Sequence, residues 1–374
     1  LIDAIKAIAA QLIVLHHLAW YGPMSDSAAG LASGLHEVQL WLGEYGRLAV
    51  AAFFACGGFL ATQALSVRGL PEGKSPSRLI VQRYLRLAGP YAVALVLAVV
   101  AAAWARQLMT HESIGAPPTV MQFLAHLFLL HDVLKFEALS AGVWYVAIDF
   151  QLYALLVLLL WTAGHVGRRR ANPENRISFI RTSIFVPLLV VGGVMASLFY
   201  FNRKMPWDVT ALYFFGVYGL GVIAGWAARS RRPYAWLSLV AVLGCAALWL
   251  DYRPRVALAL AVALVLGMAH LHLRNCCARP FVDYLSRTSY ALFLVHFPVC
   301  LLVNAVFQQW APHAPLMNAF GVLLAWGASN VAAALFYRHV EMRLAGWQLR
   351  LAAFLRALQP ATGFATARAE RGVK

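Results

Sequence analysis

Four ionisable residues stand inside the otherwise apolar opening stretch Leu1–Trp20: Asp3, Lys6, His16 and His17. On a helix each residue turns about 100° and rises about 1.5 Å, so Lys6 and His17 fall within about 20° of each other, about 16 Å apart along the axis. Asp3 lies about 60° from Lys6 on the same side, and His16 about 80° off that face. One helix face thus carries a charged pair near one end and an imidazole about three turns away. Ionisable groups within a bilayer are costly and normally face a protein interior or a wet cavity. The spacing predicts the wall of a reaction site.

A second carboxylate stands in the apolar stretch WYVAIDFQLYAL as Asp149. Counted from the helix ends, His17 lies about 7 Å and Asp149 about 10 Å below the same face, from opposite chain directions. The expectation is that Asp149 orients the His17 imidazole and stabilises its protonated form, making His17 a general base. A purely structural His–Asp hydrogen bond is the plain alternative. His296, in SYALFLVHFPV, falls near mid-membrane, where it shapes the site, packs the core or satisfies a carbonyl freed by Pro298. Arg83 and Arg86 sit one turn apart where a helix leaves a basic loop; paired guanidiniums there suit a polyphosphate, and lipid-facing snorkelling is the alternative. Gly57-Gly58 permits close helix approach or ligand access, packing being the expected role. Ser286 and Ser289 lack any GxSxG context and read as residues at a helix start, with Ser286 or Thr288 as the cap.

The elements that must carry these groups follow from composition. The 374 residues are 61% hydrophobic and only 12% charged, with mean hydropathy +0.68, which excludes an ordinary soluble domain, whose charged share is about 25%. Apolar runs of spanning length recur near 1–21, 45–67, 80–105, 142–163, 182–201, 209–228, 234–251, 256–273, 287–309 and 317–338. Val120–Leu134, opened by Pro117-Pro118, is shorter and reads as interfacial or re-entrant. No cleavable signal peptide is recognisable, and because the chain begins at Leu1, a short preceding stretch is expected.

The net charge of +16 does not indicate a nucleic-acid partner, because Lys and Arg gather by loop and form no single stripe. They concentrate at Lys6, in 68–86, 168–181, 229–232 and 274–287, and in the tail from Arg338. The intervening loops hold Arg47, Arg106, Lys135, Arg203, Lys204, Arg253 and Arg255. This asymmetry places both termini in the cytoplasm and supports an even helix count of about ten. The expected domain plan is a transmembrane domain over 1–338, then an amphipathic helix on the inner leaflet, Val340–Leu358, and a disordered basic tail within 339–374. The polar, basic stretch Asn172–Arg181 reads as a cytoplasmic loop. Cys56, Cys245, Cys276, Cys277 and Cys300 show no CxxC or metal-ligand spacing and read as free thiols, and no metal site is expected.

With these residues in view, the chain resembles the integral-membrane acyltransferases of the acyltransferase-3 type from its start to about Arg338. The resemblance rests on Asp3, Lys6 and His17; on FFACGGFL at Phe53–Leu60; on Arg83 and Arg86 before Pro90; on Trp144, Asp149 and Tyr153; and on Ser289, Tyr290, Phe293, His296 and Pro298. Lys6 replaces the commoner Arg, Asp149 the usual Glu, and Pro90 falls one place late. The resemblance implies a cytoplasmic acyl-CoA donor, with acetyl-CoA foremost, and a carbohydrate or lipid-linked glycan acceptor. It also implies a multi-pass protein of the bacterial inner membrane, among membrane lipids, with self-association left open. Many relatives fuse an esterase-like domain; without one, delivery to the acceptor would be direct.

The combined expectation is O-acyl transfer to a cell-envelope glycan or glycolipid. His17 and Asp149 would be catalytic, while Arg83, Arg86 and Lys6 hold the donor phosphates. Trp144, Tyr153, His296 and Asp3 would line the substrate site. Direct transfer and a route through acyl-histidine both fit. An extended pantetheine arm is expected to bridge the gap from the inner face to His17 without alternating access. The alternatives are a transporter or exporter of a glycan or small acid, which should show paired broken helices, and a non-catalytic scaffold.

Overall fold

Proline, pre-set for the first helical turn and lacking an N–H that would be orphaned there, opens many of the helices in a computed structural model of the chain, which describes residues 1–65, 70, 75–169, 176–272 and 280–357. In chain order these are α1 (Ile2–Trp20), α2 (Pro23–Ala29), α3 (Ser33–Tyr45), α4 (Ala49–Ala61), α5 (Pro76–Leu108), α6 (Val120–Leu127), α7 (Val143–Arg169), α8 (Arg176–Phe199), α9 (Ala211–Ala227), α10 (Pro233–Leu250), α11 (Pro254–His272), α12 (Pro280–Trp310), α13 (Pro315–Phe336) and α14 (Met342–Ala357). A π-helical turn, Tyr337–Glu341, joins α13 to α14. No strand occurs among the described residues, and eight stretches there, within α1, α5, α7, α8 and α10–α13, are long and apolar enough to cross a membrane. The protein is an all-α integral membrane protein.

Two of the ten expected spans are shorter than the sequence suggests. The run at 45–67 condenses to the 13-residue α4, and that at 209–228 to the 17-residue α9. Both are buried around nearly their whole circumference, as expected of helices that are apolar all round and sit inside a bundle. They pack directly on each other. A Cβ on Gly58 would collide with the Tyr218 carbonyl, and one on Gly221 with the Ala55 carbonyl. The Gly58 role is therefore close packing.

The remaining differences have local causes. The Val120–Leu134 segment is helical only to Leu127; Leu129 and Lys135 then take φ of 58° and 60°, which breaks the helix. Its start is fixed by a capping box between Thr119 and Gln122. Helix α12 begins at Pro280, well before 287, so Ser286, Thr288 and Ser289 are interior residues and no caps. Their hydroxyls bond back to carbonyls three or four residues earlier, or across to Asp3. Helix α14 occupies the stretch after the π-helical turn, with Trp347 69% exposed and Gln348 donating to the Leu85 carbonyl of α5. Cys56 and Cys300 are buried free thiols and Cys245 an exposed one. Arg68, Lys74, Arg170, Arg274, Arg279, Cys276, Cys277, part of the loop 172–181 and the tail beyond Ala357 lie outside the described residues.

Candidate active site

Two cavities enter the bundle from opposite ends. The first, about 840 Å³, opens at the end rich in Lys and Arg and is lined by α4, α5, α7, α12 and α14, with Lys6 of α1. The second, about 960 Å³, opens at the other end beneath α2 and α3 and is lined by the far end of α1 and the start of α7. Both volumes fall in the range of small-molecule sites.

The basic-end cavity gathers Lys6, Arg83, Arg86, Asp149 and Tyr153. Its deep wall holds an ion pair between a buried carboxylate and a partly exposed guanidinium. Arg83 Nη2 donates to Asp149 Oδ2 at 2.5 Å, and the Arg83 guanidinium lies 5.3 Å from the centre of the Tyr153 ring. Arg83 Nε is buried without a hydrogen-bond partner. Gly57 keeps the space beside Asp149 open, since a Cβ there would touch both the carboxylate and the Tyr218 ring. Lys6 donates to the Ser286 carbonyl at 3.4 Å, while Ser286 Oγ donates to Asp3 at 2.7 Å. Asp3 and Lys6 are therefore bridged through α12 and not paired with each other, and Asp3 stands outside the cavity wall.

The pairing expected between His17 and Asp149 is not the one found. His17 Nδ1 lies 2.6 Å from Nε2 of His296, with the two rings 4° from parallel. Matching depth along two helix axes leaves rotation around the bundle unspecified, and a buried carboxylate gains more from a guanidinium than from a neutral ring. Asp149, one methylene shorter than Glu, is held on the Arg83 side. His296 also lies 2.9 Å by Nδ1 from the Leu292 carbonyl, not from Leu294, whose carbonyl Pro298 leaves without its helical donor.

These contacts fix the proton positions of a neutral pair. The Leu292 oxygen can only accept, so His296 Nδ1 carries the proton and its Nε2 is an acceptor. His17 Nδ1 must then donate to His296, and His17 Nε2 is left with its lone pair. His17 lines the outer cavity, whereas His296 sits behind it, fully buried. The outcome is an imidazole held in one tautomer by a second imidazole, where a carboxylate was expected.

The outer cavity completes the setting of His17. Tyr21 stacks edge-on against it, with ring centroids 5.3 Å apart. His16 bonds the Leu42 carbonyl and ties α1 to α3. Gly22, at φ 136°, turns the chain into α2 against Asn304, whose Oδ1 accepts the Met24 N–H at 3.2 Å. Trp144, Asp26, Gln39, Glu44 and Arg47 complete the wall.

Residues 1–338 match the family model described as an acyltransferase domain. The chain belongs to this acyltransferase-3 family. No curated protein and no solved structure matches it. The protein is therefore a membrane acyltransferase, and its two-ended site can be read in those terms. Sequence reasoning missed three parts of the two cavities: the His17–His296 contact, the Tyr145 and Tyr218 walls beside Asp149, and Glu341 on the π-helical turn. The nearest signal for the first was that His296 and His17 both carry ring nitrogens within strongly apolar runs, each needing a polar partner.

Proposed function

We propose that the protein moves an acyl group, with acetyl foremost, from cytoplasmic acyl-CoA to a hydroxyl of a cell-envelope glycan or lipid-linked glycan in the bacterial inner membrane. The observation that carries this reading is a two-ended site: an open cationic cavity at the Lys/Arg-rich end and, at the other end, a cavity containing an imidazole with one free nitrogen.

On this reading Arg86 and Lys6 hold the donor phosphates, while Arg287, at the same cavity, is paired with Asp283. Arg83 is committed to Asp149, so its part is to keep the deep wall charged yet balanced. The pantetheine runs inward past Tyr153. In the outer cavity the flat faces of Trp20, Tyr21 and Trp144 suit sugar rings, and Asp26, Gln39 and Glu44 offer hydrogen-bond partners to hydroxyls. His17 Nε2 takes the hydroxyl proton as the acceptor oxygen attacks the thioester carbonyl. The tetrahedral intermediate then expels the CoA thiolate, which receives that proton, giving the acyl ester and free CoA. His296 receives the His17 Nδ1 hydrogen bond throughout and stabilises the imidazolium.

The test is binding and release of radiolabelled acetyl-CoA by the detergent-purified chain, wild type beside His17→Ala. Binding by both with transfer or slow hydrolysis only by wild type is the expected result. No binding of any acyl-CoA by folded wild type would remove the donor assignment and return the transporter reading.

A further inference from the structure

Phe293 belongs to α12, one turn before His296, with ring centroids 6.1 Å apart. Among the described residues it alone lines both the basic-end and the outer cavity. The same side chain also borders a water-sized void formed with Tyr91, Ser140 and Gly142. It is 6% exposed. Its ring is held from α7, with the Tyr145 ring at 4.8 Å and 57° to its plane. On its other side Gly142 leaves it room, because a Cβ there would stand 2.9 Å from Phe293 Cε1. The ring is thus the common wall between the proposed donor arm and the proposed base.

We infer that Phe293 is the specificity-determining residue for acyl-chain length, and that the same ring separates a donor waiting in the basic-end cavity from water in the outer cavity. This rests on the acyl-CoA reading above. For transfer, the thioester carbonyl must come within reach of His17 Nε2, which requires the sulfur and the acyl group to pass the Phe293 edge. An acetyl methyl needs little room beyond the carbonyl. Each further methylene needs space that the ring and Tyr145 occupy, in a packed interior that yields slowly to added volume. Truncating the ring leaves a cavity at that point. A longer chain can fill it, and so can water, which would attack the thioester in place of the acceptor and give a carboxylate, a proton and free CoA.

The experiment compares kcat/KM for acetyl-, butyryl-, hexanoyl- and octanoyl-CoA, and acceptor-free hydrolysis, in the full-length chain. Wild type, Phe293→Leu and Phe293→Ala are measured together. Wild type should favour acetyl over hexanoyl strongly. Phe293→Ala should raise the hexanoyl-to-acetyl ratio at least tenfold and increase acetyl-CoA hydrolysis, with Phe293→Leu between. Where Phe293→Ala does not fold, Phe293→Leu and Phe293→Met carry the comparison. An unchanged ratio in variants that elute as wild type and bind acetyl-CoA normally would overturn the role of Phe293 while leaving the acyltransferase reading intact. A wild type that already uses octanoyl-CoA as well as acetyl-CoA would overturn it too. A folded wild type that turns over no acyl-CoA would instead sink the donor reading, and this inference with it.

Discussion

The two cavities solve the problem of a polar group in an apolar bundle in opposite ways. At the basic end the buried carboxylate of Asp149 is matched by a full positive charge on Arg83, and Lys6 and Arg86 line the same cavity along with Glu341. In the outer cavity the buried groups are two imidazoles that satisfy each other and a carbonyl as a neutral chain, ending in one free nitrogen. A balanced ion pair resists change, because removing one partner strands the other in low dielectric. A neutral relay can gain a proton at its free end and lose it again. On the proposed reading the basic end holds the donor and the other end reacts.

The sharpest way to break this contrast is His17→Ala. Transfer should fall by about 10²–10⁴-fold, the usual worth of a positioned general base, with the Kd for acyl-CoA unchanged because His17 lies outside the basic-end cavity. Isothermal titration beside a transfer assay measures both, and weaker donor binding would show that the two regions are not separate in function.

Asp149→Asn should act on stability before it acts on chemistry. Leaving Arg83, whose side chain is 28% exposed, without its carboxylate should destabilise the protein by about 1–3 kcal/mol, the cost of an unmade hydrogen bond at a half-buried group, seen as a lowered melting temperature in detergent. The double variant Arg83→Met with Asp149→Leu should melt above either single one, since no charge is then stranded. If Asp149→Asn melts normally but loses turnover, the carboxylate belongs to the reacting end after all.

His296 tests the relay itself. His296→Ala leaves the His17 Nδ1–H without its partner and frees the ring to adopt the other tautomer. The expected loss is about 10–100-fold in kcat, the scale seen when an orienting partner is removed, with both KM values unchanged. His296→Gln, whose amide oxygen can still accept from His17, should recover part of that loss and alter the pH profile of kcat. Recovery of nothing by Gln, with the profile unmoved, would mean His296 only fills space.

The same residues mark how far the amino-acid sequence alone is legible. The helices are readable because a bilayer demands long apolar runs with charges sorted by loop, and each of the ten runs finds a helix in the bundle. The short lengths of α4 and α9 are not readable, since a buried helix and a lipid-facing one carry the same apolar signal. His17, Asp149, His296, Arg83 and Lys6 stand out because ionisable groups are rare in such runs. Their partners do not stand out. Helical arithmetic gives depth and relative angle on one helix but no rotation between helices, so Asp149 matches His17 in depth while its actual neighbour is Arg83 on α5. Phe293 is visible as one aromatic position in a motif. That it walls two cavities depends on Gly142 and Tyr145 beside and within α7, more than a hundred residues away.

Arg86 separates the holding function from the structural one at the basic end. Unlike Arg83, it faces the cavity with no carboxylate within ion-pair reach among the described residues. Losing one charge-assisted contact to a phosphate, worth roughly 1.5–3 kcal/mol, should raise the acyl-CoA KM about tenfold or more in Arg86→Ala, with kcat at saturation and the melting temperature nearly unchanged. An unaltered KM would move the phosphate contacts to other basic residues.

The smallest and most discriminating effects belong to Trp144 and Tyr153, which lie on the same helix α7 but line different cavities. Trp144→Ala should raise the KM of the acceptor by about 3–10-fold, since it removes an aromatic face worth roughly 0.5–1.5 kcal/mol, and leave the donor KM alone. Tyr153→Ala should do the reverse, because its ring lies under the Arg83 guanidinium in the donor wall. Initial rates with each substrate varied in turn give both constants from one protein preparation. Crossed effects, each variant moving both constants, would mean that donor and acceptor share one space and that the Phe293 wall opens freely during turnover. Uncrossed effects would place the division between holding and reacting on α7 itself, between Trp144 and Tyr153.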